Sequence, residues 1–392
     1  MQDDHPSGET DLLVIGGGIL GTFYAYHAVQ RGLRVVLVER HAAPLGATVR
    51  NFGQVVPSGM NHAWQLLGRE SLNIYQAIHK QFPLPLRQLG SIYLASDQEE
   101  MTLLEELHTR NQSVDYPSEL WTSGQCRERY PQLRGDYCHG GLYFPAELSV
   151  TPRLLIRRLH EYLRQQPGFR SYFGTCVKEL QPTGGGPVTA VTTARHTLRA
   201  DKVVLCCGAE LQQLYPQVFQ ASDIESVKLQ MLRLAPQPQA SLPGNVLTGL
   251  SIRRYESFSE CPSWGEIKAR EAADSFEKRY GIHILLKQEP DGGIILGDSH
   301  EYAPAADPAQ LSFELRSDIN DYFLTAARRM FDLPSWNVEA SWYGIYCQTK
   351  HPSGIFATEV EDNIHISTAI GGKGMTSSAG FAQHDLRRIY HD

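Results

Sequence analysis

The stretch Asp11-Leu-Leu-Val-Ile-Gly-Gly-Gly-Ile-Leu-Gly21 constrains this chain more than any other. Its apolar run, Asp11 to Ile15, stops at glycine, as a parallel strand buried on both faces does. Gly16, Gly18 and Gly21 satisfy the spacing GxGxxG, and Leu20 to Arg31 reads as a helix. Arg34-Val-Val-Leu-Val-Glu39 is a second buried strand, so a βαβ unit opens the chain. In such a unit Gly16 allows the tight turn, Gly18 lets backbone approach a pyrophosphate, and Gly21 lets helix pack on strand. The helix start at Gly18, Ile19 and Leu20 offers free N–H groups and a positive dipole end to phosphates. Glu39 stands 18 residues past Gly21, beside Arg40, and can accept hydrogen bonds from ribose hydroxyls. These residues predict a dinucleotide site.

Further strands are predicted at Lys202–Cys207, closed by Gly208, and at Asn363–Ser367, followed by a glycine cluster and a helix ending near Ile389. From about Ile74 to Phe144, helix patterns mix with a short strand, Ser91–Ala95. From about Val227 to Leu296 the pattern is antiparallel, with Ile282–Leu286 and Gly293–Leu296 flanking a hairpin signal, Pro290-Asp-Gly-Gly293. An α/β chain of two domains follows. A nucleotide-binding domain is expected from the discontinuous segments 10–80, 145–220 and 335–392. A substrate domain on a mixed or antiparallel sheet is expected from 81–144 and 221–334.

With 392 residues the chain is long enough for both. A formal net charge of −7 argues against a nucleic-acid partner, which calls for clustered basic residues. No run approaches the roughly 18–20 apolar residues of a membrane span. The leading stretch Met1–Thr10 is polar and acidic, unlike a secretory leader. The seven cysteines are scattered and odd in number, which reads as reduced thiols in a cytoplasmic protein. No metal-ligand spacing occurs, and the oligomeric state is left open.

Two further segments extend the nucleotide motif into a resemblance. Gly46-Ala-Thr-Val-Arg-Asn-Phe-Gly53 resembles the flavin-contacting loop of the D-amino-acid oxidase superfamily. Gly371-Gly-Lys-Gly-Met-Thr376 resembles the turn that brings a helix N-terminus to the flavin ring there, where it would stabilise the anionic reduced ring. The resemblance runs from the Gly16 motif to Thr376 and is closest to glycine and sarcosine oxidases. It implies a glutathione-reductase-type FAD-binding fold, with FAD contacted by Ala47, Thr48, Arg50, Asn51, Gly53, Gln54, Gly208, Gly371, Gly372, Lys373, Gly374, Met375 and Thr376, and by the backbone of Val177 at the adenine. Relatives can attach flavin through cysteine or histidine. Cys347 falls away from that cysteine position and His41 is a weak match, so the FAD is expected to be non-covalent.

Many amino-acid oxidases of this superfamily carry, after a Trp-x-Gly stretch, an arginine that clamps the substrate carboxylate. In Trp342-Tyr-Gly-Ile-Tyr-Cys-Gln-Thr-Lys350 that position falls on Tyr346, which cannot replace a bidentate guanidinium. Lys350, Lys373, Arg253 and Arg254, beside Tyr255, are the other candidate anion-binding residues, and converging cations suit a tetrahedral anion. His283, on the hairpin, is a candidate pocket residue. Together these segments resemble the FAD-dependent oxidoreductases of bacterial aminophosphonate breakdown. That resemblance implies oxidation of 2-aminoethylphosphonate or an N-methyl or hydroxy relative, with O2 as acceptor. Tyr346, Lys373, Lys350 and His283 would be the residues nearest the chemistry. The alternatives are a glycine/sarcosine-type amino-acid oxidase, a flavin dehydrogenase of a 2-hydroxy acid, and a nucleotide-binding protein without turnover.

Overall fold

A computed structural model describes residues 10–193 and 197–392, so the polar stretch 1–9 lies outside the described residues. The first two strands, β1 (Thr10–Ile15) and β2 (Val35–Glu39), are buried at nearly every position. They pair in parallel with Leu13 opposite Val36 and Ile15 opposite Val38. Strand alternation sends their side chains to two separate cores. Leu12, Val14, Val35 and Leu37 pack in one with helix α1 (Ile19–Gln30) and the helices Pro152–Arg164 and Gly374–Tyr390. Leu13, Ile15, Val36 and Val38 pack in the other, against Val188, Ala190 and Leu198 of antiparallel strands. Burying a Val or Leu in this way stabilises by roughly 1.5–3 kcal/mol, so cover on both faces selects the near-continuous apolar sequence of these strands.

This first sheet has eight strands. Its parallel portion runs Phe169–Phe173, β2, β1, Thr197–Leu205 and Ile364–Thr368. The helix Gly374–Tyr390 packs between α1 and the helix His62–Gln81: the Ala379 carbonyl is 2.8 Å from His27 Nε2, and the Gly380 N–H donates to Ser71 Oγ at 2.9 Å. Distant segments of the chain therefore close one layer of the nucleotide domain.

The second sheet has nine strands and is drawn from 91–144, 224–304 and 338–349. Its spine is Ile224–Leu234, which pairs antiparallel along Val338–Thr349. The expected hairpin is present as Leu285–Gln288 and Ile294–Gly297. A small three-stranded sheet, Gln54–Val55, Leu148–Val150 and Leu86–Arg87, ties the two halves together.

Two expectations need correction. Residues 338–349, expected in the nucleotide segment, belong to the second sheet. Their apolar pattern fits either sheet, and only the long-range partner decides it. The stretch 249–279, expected as strands, forms the short helices Gly249–Ile252, Trp264–Arg270 and Phe276–Arg279. No helix among the described residues is long and apolar enough to cross a membrane.

Candidate active site

Two cavities, of about 610 and 560 Å³, adjoin at the C-terminal ends of the parallel strands. That is where open α/β sheets take their ligands. They share Gly18, Ala47, Thr48, Arg50, Cys206 and Gly208, and so form one elongated cleft.

The smaller cavity is built on the β1–α1 turn. Gly16 has φ +109°, and a side chain there would begin 2.2 Å from the Cys206 carbonyl oxygen. At Gly21 it would begin 2.1 Å from the Gly16 carbonyl oxygen, so neither position tolerates a Cβ. Glu39 is buried; its Oε2 accepts the Gly17 N–H at 2.9 Å and its Oε1 the His41 N–H at 3.0 Å. The α1 N-terminus has no cap from Gly18 itself; instead the Ile19 N–H donates to Thr48 Oγ1 at 2.9 Å. Arg40 pairs with Glu210 at 2.6 Å, and buried Val177 lines the far wall.

Every residue predicted to touch the cofactor lines one cavity or the other. Around the larger one, Asn51 pins its own loop: its Nδ2 donates to the Ala47 and Thr48 carbonyls at 3.0 and 2.8 Å, and its Oδ1 accepts the Gly53 N–H at 2.8 Å. Arg50 is anchored through Nε to the Leu45 carbonyl at 2.8 Å. Thr376 Oγ1 accepts the Val56 N–H at 3.2 Å, which joins the 371–376 turn to the loop. Buried Gln54 leaves its Nε2 without a hydrogen-bond partner, a donor available to a bound group. The helix Gly374–Tyr390 begins at the wall of this cavity. An elongated cleft with glycine backbone and a helix start in its middle, a buried carboxylate at one end and a second helix start at the other fits a dinucleotide.

Beyond that cleft the larger cavity is walled by side chains of the second sheet and its helices. Tyr346 stands on Val338–Thr349, with its hydroxyl 3.8 Å from where a side chain on Gly372 would begin. Burial, and then the nearby Tyr302, push its pKa up. Lys373 is largely buried; its Nζ lies 5.3 Å over the Trp64 ring and 3.8 Å from Glu256 Oε1. Burial holds the ammonium below its usual range, partly offset by Glu256. Arg254 lines the cavity and donates to the Tyr302 hydroxyl at 2.8 Å. The Tyr255 ring meets His283 edge-on at 5.3 Å.

The structure does not bring Arg253 and Lys350 to this cavity. The Arg253 guanidinium points away into a carboxylate cage: Asp97 at 2.7 Å, Glu100 at 2.8 Å and Glu99 at 3.2 Å. Adjacent residues in a helical turn diverge by about 100°, so Arg253 and Arg254 could not share one face. Lys350 is exposed and pairs with Glu225 at 2.7 Å, beyond the end of its strand. Sequence reasoning missed Glu256, Asp298 and His300, which do line the cavity. A signal existed for the last two: they sit two apart just after the apolar strand Ile294–Gly297, where a continuing strand puts both on one face.

Known proteins resemble this chain in sequence and in fold. The family model described as FAD dependent oxidoreductase matches residues 11–384. The opine oxidase of Rhizobium meliloti has a subunit that is 24% identical over 357 residues, which covers 87% of this chain and 83% of that protein. Among solved structures, glycine oxidase from Geobacillus kaustophilus superposes with a TM-score of 0.76 at 18% identity, over 98% of this chain and 96% of that one. L-alpha-glycerophosphate oxidase from Mycoplasma pneumoniae, solved with FAD bound, gives 0.76 at 16% identity over 98% and 95%. At these identities the structural likeness is one of fold.

Proposed function

The chain belongs to the FAD dependent oxidoreductase family, its dinucleotide is FAD, and from that premise we propose that it oxidises a small amine bearing a tetrahedral anion. The substrate class is an aminophosphonate: 2-aminoethylphosphonate or its N-methyl or hydroxy derivative. Amine, water and O2 would give the aldehyde, ammonia or methylamine, and hydrogen peroxide. FAD, held without a covalent bond, supplies the two-electron chemistry.

The observation that carries this reading is the makeup of the cavity beyond the cleft. Tyr346, which by the sequence resemblance falls at the position of a carboxylate-clamping arginine, lines it, while Lys373 and Arg254 line the same space from different elements. Lysine binds a phosphonate as a point charge, and the Tyr346 hydroxyl can donate to one of its oxygens. Holding the amine's reacting carbon against the cofactor is the protein's main contribution, and cations at a fixed distance do that. Gln54 Nε2 and the start of the helix Gly374–Tyr390 supply hydrogen-bond donors and a positive pole toward negative charge developing on the cofactor.

The test is anaerobic mixing with 2-aminoethylphosphonate, its N-methyl form, glycine, sarcosine and a 2-hydroxy acid, followed at roughly 450 nm, where oxidised flavin absorbs. Bleaching by the aminophosphonates alone supports the proposal. Bleaching by glycine or sarcosine alone keeps amine oxidation and overturns the substrate class. Bleaching by the hydroxy acid alone overturns both. Acid precipitation that releases all the flavin into solution supports non-covalent binding, and yellow colour retained in the pellet refutes it.

A further inference from the structure

His283, Asp298 and His300 form a cluster in the wall of the larger cavity, and all three are more than nine-tenths buried. Their ligating atoms lie within 4.8 Å of one another. Asp298 Oδ1 has no hydrogen-bond partner, and neither ring nitrogen of His283 has one. His283 Nε2 and Asp298 Oδ1 face each other at 3.3 Å, off hydrogen-bond geometry. His300 is fixed differently, with Nδ1 against the Gly281 carbonyl at 2.8 Å. An unpartnered buried carboxylate oxygen costs roughly 1–3 kcal/mol or more, so a native site that keeps one has a use for it.

Three protein ligands of this kind could also suggest a metal ion. One feature argues against that. The imidazole rings are stacked, 5.1 Å apart with planes 25° from parallel, so their in-plane lone pairs run side by side rather than toward one centre. Burial, and then the charge of Arg254 on the same cavity wall, lowers the pKa of both histidines and leaves them as neutral acceptors. What suits the cluster is a donor with several N–H bonds and one positive charge, small enough to sit between acceptors.

We infer that Asp298 docks the substrate's ammonium group, with His283 as a second acceptor, while Lys373 and Arg254 hold the anion. This rests on the proposed amine oxidation and deepens it: the substrate is recognised as a dipolar ion, its ammonium by the Asp298 cluster and its anion by Lys373 and Arg254. Burial holds the carboxyl up at about 7, with Arg254 opposing. The other groups facing it are Tyr255, Tyr346, His283 and His300, and burial keeps both histidines neutral in the range where the carboxyl titrates. Asp298 is ionised above that value and protonated below it, so ammonium docking is present at higher pH and is lost as pH falls through about 7.

The test uses the FAD-loaded enzyme and two ligands, 2-aminoethylphosphonate and ethylphosphonate, which lacks the amine. Binding is read from the flavin spectrum under anaerobic conditions. Asp298→Asn keeps the shape and removes the charge. It should weaken the amine ligand about 30-fold or more and leave ethylphosphonate within about twofold. Equal weakening of both, or of neither, overturns the inference. If Asp298→Asn does not retain flavin, the wild type decides. The two phosphonates ionise at different pH, because the ammonium favours the dianion, so each affinity is first corrected with that ligand's own titration. The corrected ratio should then fall as pH drops below 7, approaching about tenfold per unit, and a flat corrected ratio overturns the inference. Failure of wild type to be reduced by any amine instead sinks the amine-oxidation reading.

Discussion

The two ends of the cleft are built on different principles. At the nucleotide end, recognition is by backbone: a turn at Gly16, a close approach at Gly21, a helix start, and one carboxylate, Glu39, that braces the turn through the Gly17 N–H. These parts lie within 30 residues of one another in the chain. At the end proposed for the substrate, the walls are side chains from a short helical stretch, the two flanks of a hairpin, a long strand and a glycine-rich turn, at Arg254, His283, Asp298, Tyr346 and Lys373. A backbone site demands glycine at fixed spacing and leaves a local signature. A side-chain site demands only that distant residues converge, and no spacing records it.

The comparison can be broken most severely at its backbone end. Gly16→Val adds bulk against the Cys206 carbonyl and forces a β-branched residue to positive φ. The expected outcome is a protein purified without FAD, read as loss of the flavin absorbance band. Full FAD content in this variant would mean that the turn is not what holds the cofactor. A smaller effect, on stability alone, is expected from Arg253→Ala, which leaves Asp97, Glu99 and Glu100 without their shared cation. We expect a loss of about 1–3 kcal/mol in thermal or denaturant unfolding, discounted because the carboxylates are partly exposed, with substrate affinity unchanged.

Lys373→Met sharpens the other end. It should leave FAD bound and weaken an anionic amine about tenfold, as loss of one charged hydrogen bond does. Unchanged substrate saturation together with an unchanged flavin spectrum would remove Lys373 from the site. Lys350→Ala is the control with the smallest effect, within about twofold in affinity, because its ion pair with Glu225 is exposed.

This division also explains what could be read in advance. β1, α1, β2 and the hairpin at 285–297 were legible because hydrophobic period and turn residues are local. The walls of the cofactor cleft were legible because glycine marks them. Tyr346 was placed through a motif, and the structure sets it beside Gly372. Arg253 was misplaced for a physical reason: two adjacent arginines look alike in sequence, and only the acidic cage from 97–100 tells them apart. Asp298 and His300 were missed because their two-residue spacing after the strand shows that they share a face but not whether that face meets solvent or a cavity. The strand 338–349 was misassigned because pairing partners more than 100 residues away leave no trace in a short apolar run.

The helix Gly374–Tyr390 has a consequence for how the protein is made. It packs on α1, contacts the helix His62–Gln81, and starts at the wall of the larger cavity. Strand Ile364–Thr368, just before it, adds the parallel strand beside Thr197–Leu205. During synthesis the glycine turn near residue 16 leaves the ribosome long before either partner exists. A nascent chain therefore carries the phosphate-binding turn without the far wall of the cleft. The part of the α1 face that this helix covers waits uncovered until residues 374–390 have been made. Closure of the cleft then waits on residues 364–390, and loss of flavin colour is the expected sign that this helix and the turn near residue 16 have not come together.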